Sequence, residues 1–122
     1  MAQVRLSQAA RADIVDILMW TSQTFGEGAR LRYERLLGIA LRNLSEDPLR
    51  LGTVERPELG DDIRSYHLRH AREWARLKGV VVQRPRHLLL YRIAGTGMIG
   101  IGRILHDTME LERHRPRDYG DG

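Results

Sequence analysis

The stretch 86-RHLLLYRIAGTGMIGIGRILH-106 decides the fold. Two β-prone runs, Arg86 to Ile93 and Met98 to His106, flank Gly95-Thr96-Gly97, and small residues that accept positive φ make this break the turn of an antiparallel hairpin. In the first run His87, Leu89, Tyr91 and Ile93 share one side and Arg86, Leu88, Leu90 and Arg92 the other. If helices cover only one face of the sheet, Leu88 and Leu90 are half exposed and available to a partner. In the second run Ile99, Ile101, Arg103 and Leu105 oppose Met98, Ile104, His106 and the glycines Gly100 and Gly102. Two glycines two apart strip one face of side chains, so another backbone can lie close, either the chain's own helices or a partner. Arg103, His106 and Asp107 gather where the strand ends, a place suited to binding.

Upstream, Val4 and Leu6 alternate with Gln3 and Arg5 as a short strand, and Ser7 follows as a helix N-cap. From Gln8 to Thr24 apolar residues recur at helical spacing: Ala10, Ile14, Ile17 and Leu18, with Phe25 closing the stripe. Gly26 stops this helix. A second runs from Glu27 to Glu46 and buries Ala29, Tyr33, Leu36, Leu37, Ala40 and Leu44; Gly38 inside it implies a close crossing with the first helix. The short Phe25–Gly28 link makes the two an antiparallel hairpin, which Asp47-Pro48 ends. Residues 49–62 read as loop. Ile63 to His70 is a strand whose face of Ile63, Ser65, His67 and Arg69 is too polar for core, and residues 71–85 form an extended connection. After the last strand come one or two helical turns anchored by Met109 and Leu111, then a frayed tail from Pro116 to Gly122. The order gives an α+β fold: an N-terminal strand, an antiparallel helical hairpin, then a three-stranded antiparallel meander with a short C-terminal helix.

A chain of 122 residues, 42% hydrophobic and 30% charged, is expected to be one soluble globular domain. No apolar run approaches the ~20 residues that cross a bilayer, and the N-terminus lacks a secretory signal, so a cytoplasmic location with no membrane partner is expected. Cysteine is absent, which excludes disulfides and thiolate metal sites. Lys78 is the only lysine among 20 cationic residues, and the net charge is +4. Arginine forks suit carboxylate and phosphate, so the basic balance favours an acidic partner. His67 and His70 would point to opposite faces of a strand, and His87, His106 and His114 lack carboxylates at ligand spacing, so neither metal nor cofactor is expected. Nothing reads as a helix-turn-helix.

Several segments taken together, VRLSQAARADIVDI, the helical hairpin, DDIRSYHLRHAR, RPRHLLLYRI and GRILHDTMELERH, resemble the toxin half of the RelE/ParE superfamily of toxin–antitoxin pairs, also called plasmid stabilisation proteins. The resemblance runs from Val4 to about His114, with a longer segment at 71–84 than in compact members. It is closer to the ParE branch and implies the toxin component of a type II system that inhibits DNA gyrase. A ParD-like ribbon-helix-helix antitoxin would neutralise it, and DNA would be bound only through that complex. Target contact then falls to Arg64, Arg69, Arg92, Arg103, His106, Asp107 and Met109. The antitoxin would cover Leu88, Leu90, Arg86, Arg92 and the outer residues of the helical hairpin. The RelE branch implies instead a ribosome-dependent messenger RNA endonuclease, with Arg64, Arg92 and Arg103 as cations and His106 or Tyr91 moving the proton. The lysine-rich strand of that branch is missing. A degenerate toxin kept as an interaction module is the third alternative.

Overall fold

The computed structural model of the protein describes residues 1–95 and 97–120. Strand β1 (Gln3–Leu6) leads into helix α1 (Gln8–Phe25) through Ser7. The Ser7 Oγ accepts from the Ala10 N–H at 3.0 Å and donates to the Gly102 carbonyl at 2.7 Å, so one buried hydroxyl caps the helix and pins it to the last strand. Gly26, at φ 94°, ends α1 and starts α2 (Glu27–Glu46), a reversal that the left-handed region makes possible within one residue. The buried stripe of α2 is the expected one from Tyr33 to Leu44, extended by Asn43 and Ser45, while Ala29 at its start is only half-buried. Phe25, by contrast, is 66% exposed, because the chain has already turned away from the sheet at its position. Gly38 does not mark a close crossing: it lies on the exposed side, and a Cβ there would meet nothing within 4 Å. Gly38→Ala should therefore stabilise the protein by about 0.5–1 kcal/mol, read as a Tm raised by a few degrees.

The sheet is five-stranded and mixed, in the order β1-β5-β4-β3-β2, with β2 at Thr53–Glu55, β3 at Ile63–His67, β4 at His87–Ile93 and β5 at Met98–His106. The expected meander is its centre, β3, β4 and β5, all antiparallel. The helical hairpin carries the chain from β1 to β2 at the opposite edge, and the strands that follow bring β5 alongside β1 in parallel, Gln3 opposite Met98. Within the stretch read as loop, β2 adds a short edge strand opposite β3. The strand read to His70 stops at His67, where the His67 Nδ1 accepts the Arg69 N–H at 3.0 Å and winds Leu68–His70 into a 3-10 turn. Residues 71–85 hold turns and a lone bridge between Leu77 and Val80. The β4–β5 turn is closed by the Ala94 N–H on the Met98 carbonyl at 3.0 Å; Thr96 lies outside the described residues.

A bulge at Gly102 governs what each face of β5 presents. Leu90 opposes Arg103 and Tyr91 opposes Ile101, so Gly102 is the extra residue and the side-chain alternation flips beyond it. Ile104 consequently joins Ile99 and Ile101 beneath the helices, with Leu89, Tyr91, Tyr66 and the α2 stripe, rather than siding with Met98 and the glycines.

The opposite face is a second core of Leu59, Ile63, Leu88, Leu90, Leu105 and Tyr119. Here the structure corrects the sequence. Leu88 and Leu90 are 7% and 0% exposed because the C-terminal segment folds back across them, and Tyr119 is itself 5% exposed. The tail is therefore not frayed through Gly120; Asp121 and Gly122 lie outside the described residues. The expected short helix is a 3-10 turn, Leu111–His114. A Cβ on Gly100 would stand 2.1 Å from the Tyr119 carbonyl oxygen, and one on Gly102 2.6 Å from Pro116. The strip cleared by the two glycines thus receives neither the helices nor a partner but the chain's own end. The same cover buries Ser65 and His67 on the face that looked too polar for core, their polar atoms satisfied by Arg56 and Asp107. Truncating Leu88 or Leu90 would open a core cavity, costing ~2–5 kcal/mol, instead of probing an exposed contact.

Candidate functional site at the histidine-bearing end of the sheet

The end of β3, the start of β4 and the end of β5 converge at one corner, where His87 opposes His106 and His67 opposes Leu88. The His87 and His106 rings meet edge to face with centroids 5.3 Å apart. Tyr33 reaches them from α2: its hydroxyl accepts the Arg86 N–H at 3.2 Å and lies 2.6 Å from the His87 Nδ1. Burial pushes the Tyr33 phenol up to about 12, so it stays protonated and donates to Nδ1, which leaves the proton of neutral His87 on Nε2. Burial first, and then the neighbouring His106, push His87 down to about 4.

On the far side of this pair Asp107 organises the charges. It receives the Arg86 guanidinium at 3.0 and 3.1 Å on Oδ1 and the His67 Nε2 at 3.0 Å on Oδ2. The Arg86 hydrogen bond is the main cause that lowers the Asp107 carboxyl to about 2. His67 is lowered by burial, which outweighs the pull of Asp107. The His106 Nδ1 lies 2.7 Å from the Thr108 Oγ1 and accepts the Thr108 N–H at 3.2 Å, which fixes its ring.

Above the imidazoles opens a cleft of about 670 Å³ between the turn of the helical hairpin and the 80–84 segment. Trp20 and Phe25, edge to face at 5.6 Å and both exposed, form its outer wall, with Val80 to Val82 opposite.

Of the residues expected at a target surface, Arg69, His106, Asp107 and Met109 come to this corner, joined by Arg86, which was expected under the antitoxin. The others do not. Arg64 and Tyr91 oppose each other on the helix-covered face at the far end, where Arg64 binds the Thr53 hydroxyl at 2.9 Å and pairs with Glu55. Tyr91 is fully buried and donates to the Pro48 carbonyl at 2.5 Å. Arg92 lies on the other face, its guanidinium 4.9 Å from the centre of the Tyr119 ring. From Gly100, which opposes Arg92, to His106 is roughly 20 Å of strand at ~3.3 Å per residue. The five residues named for phosphodiester cleavage therefore do not form one cluster.

Arg103 is held in a fork by Asp13 of α1, at 2.8 and 3.0 Å, and the same carboxylate accepts the Ile104 N–H at 2.9 Å. Beyond the end of β1 this carboxylate stands in for the missing neighbouring strand. Asp13→Asn should thus cost about 2–3 kcal/mol in a urea titration, since hydrogen bonds to charged groups contribute ~1.5–3 kcal/mol.

Tyr33, His67 and His87 were not singled out from sequence as site residues. An unbulged register that keeps Ile93 opposite Ile99 would set His87 against Leu105; the extra residue at Gly102 brings the two imidazoles side by side. Among the described residues no group of three or more His, Asp and Glu side chains is placed to hold a metal ion, and no helix is long and apolar enough to cross a membrane.

A sequence model of the family described as the ParE toxin of the type II toxin-antitoxin system, parDE, matches residues 4–111. No curated protein matches the chain. The matched residues hold the parallel edge strand, the helical hairpin, the meander and all of the histidine-bearing corner except the tail that packs behind it. The chain belongs to the ParE toxin family of type II toxin–antitoxin systems, in which the toxin has an antitoxin as partner.

Proposed function

We propose that this toxin inhibits DNA gyrase by binding it, without breaking bonds, and that a ParD-like antitoxin with a ribbon-helix-helix half neutralises it in the cytoplasm. The observation that carries the reading is the scatter of the cations that a nuclease would need. Arg64 and Arg92 sit on opposite faces and Arg103 is committed to Asp13. Stabilising a phosphoryl transition state requires such groups converging on one point. A stalling inhibitor needs only affinity for one state of its target.

The target surface in this reading is the corner carrying Arg69, Arg86, His106, Asp107 and Met109, with Met109 42% exposed. The antitoxin takes the outer side of the helical hairpin, where Met19, Trp20 and Leu31 are all more than half exposed. An amphipathic acidic segment that folds on binding would cover this apolar surface and meet the arginines beside it. The test is a gyrase supercoiling assay with Arg69→Glu combined with Met109→Ala. Inhibition weakened at least tenfold, about 1.4 kcal/mol, with antitoxin binding unchanged is the expected result. Undiminished inhibition would remove this corner from the target surface.

A further inference from the structure

We propose that the cleft over His87 and His106 is a nucleotide-binding site, taking an aromatic base against Trp20 and Phe25 and its phosphate on Arg32 and Arg84. The inference concerns the cleft, which shares Arg86 and His106 with the target corner and Trp20 with the antitoxin face, and its test reads nucleotide binding, separately from gyrase inhibition.

Three observations converge. The first is size: about 670 Å³ lies within the ~300–1,000 Å³ of clefts that bury a small organic ligand, whereas a helix of ~10 Å diameter would need a long open trough. The second is charge. Arg32 and Arg84 line the cleft from opposite sides of the chain, and neither has an ion-pair or hydrogen-bond partner among the described residues, unlike Arg86, which Asp107 occupies. Arginine forks that are not already matched are suited to phosphate oxygens. The third is the floor and wall. Trp20 is 56% exposed and Phe25 66%, an edge-to-face aromatic pair at a helix end that leaves ring surface to solvent, and stacking on such platforms contributes ~1–3 kcal/mol per base. Beneath them His87, its Nδ1 taken by Tyr33, keeps an Nε2–H donor for the edge of a base, and His106 adds a second imidazole. An apolar pocket with a few convergent polar groups and unmatched cations is complementary to a nucleotide, and the separate requirements for ring and anion tell it apart from a simple anion site.

The nucleotide can be free or one unit of a single strand, and the two sources separate in one experiment. Trp74→Phe leaves Trp20 as the sole tryptophan. Its emission is titrated with adenosine triphosphate, with a short single-stranded oligoadenylate, with adenosine and with tripolyphosphate. Saturable quenching by the nucleotide or the oligonucleotide, at least tenfold tighter than by adenosine or tripolyphosphate alone, is expected, and the tighter of the two identifies the source. Arg32→Ala with Arg84→Ala should weaken it at least tenfold. Both side chains are exposed, so unchanged circular dichroism should accompany the loss. The proposal is overturned if no saturable change occurs up to millimolar concentration, if tripolyphosphate or a polyglutamate peptide binds as tightly as the nucleotide, or if the double variant binds like the parent.

Discussion

Tyr119→Ala should lower the stability of the protein by about 3–5 kcal/mol, the usual cost of truncating a large buried ring to alanine. The reason is the second core. Tyr119 closes it over Leu88, Leu90 and Leu105, stacks beneath the Arg92 guanidinium and lays its backbone along Gly100. Removing the ring leaves a cavity on a face that helices do not cover, so nothing else can settle into it. A chain ending at Arg115 should go further and expose Leu88 and Leu90, detectable as binding of a hydrophobic dye at a temperature where the parent binds none. Two-state urea unfolding gives the first number. A midpoint unchanged within error for both variants would mean that the tail is an ornament on a core complete without it.

Acidification should also lower stability. His87 is pushed down to about 4 in the folded chain, below the ordinary value of 6.5 that it regains on unfolding. The unfolded state therefore takes up a proton first as the pH falls, so the stability due to His87 is full above 6.5 and is lost progressively between 6.5 and about 4. The whole shift corresponds to ~3 kcal/mol, which the partial exposure of the ring reduces to about 2 kcal/mol. His67 and His70, both lowered by burial first, act with the same sign. Asp107 acts lower on the scale: its carboxylate stabilises the fold above the ordinary 3.8 and loses that effect as the pH falls through about 2. In urea titrations at a series of pH values His87→Gln should flatten the slope between 6.5 and 4 by about one proton. A slope identical to that of the parent would contradict the assignment of His87 as neutral and half-buried.

The contrast between these two predictions shows where the sequence was legible. Periods of 3.6 and 2 fix α1, α2, β4 and β5, because each is long enough for its apolar residues to repeat several times. Strand β2 has three residues, too few for any alternation to register, and its pairing with β3 is a tertiary effect. The buried polar face of β3 misled for a different reason. Ser65 and His67 are core only because Arg56, Asp107 and the returning tail surround them; Arg56 and Asp107 lie 9 and 40 positions from their partners, and the tail lies further still. The tail itself reads as polar punctuation around one aromatic, and only the glycine strip on β5 hinted that some backbone would lie there.

At the site the legible part was the charged strand end, His106 and Asp107, since charge gathered after an apolar run is a local signal; Arg103, read with them, is taken up by Asp13 instead. Tyr33 was seen as core, and it is 8% exposed; the hydroxyl that orders His87 lies at the tip of that buried ring. Trp20 fell outside the apolar stripe, and Phe25, placed within it, proved to stand outside the core as the lip of a cleft. The pairing of His87 with His106 hangs on one extra residue at Gly102, which alternation alone does not reveal.

The central claim is that the toxin works by holding its target rather than by cleaving a substrate, and parallel assays of one purified preparation test it most directly. The protein is added to a gyrase supercoiling reaction and to a translating extract. Loss of supercoiling with accumulation of cleaved DNA, while transcripts in the extract stay intact, is the predicted result. Cut transcripts beside fully active gyrase would contradict it.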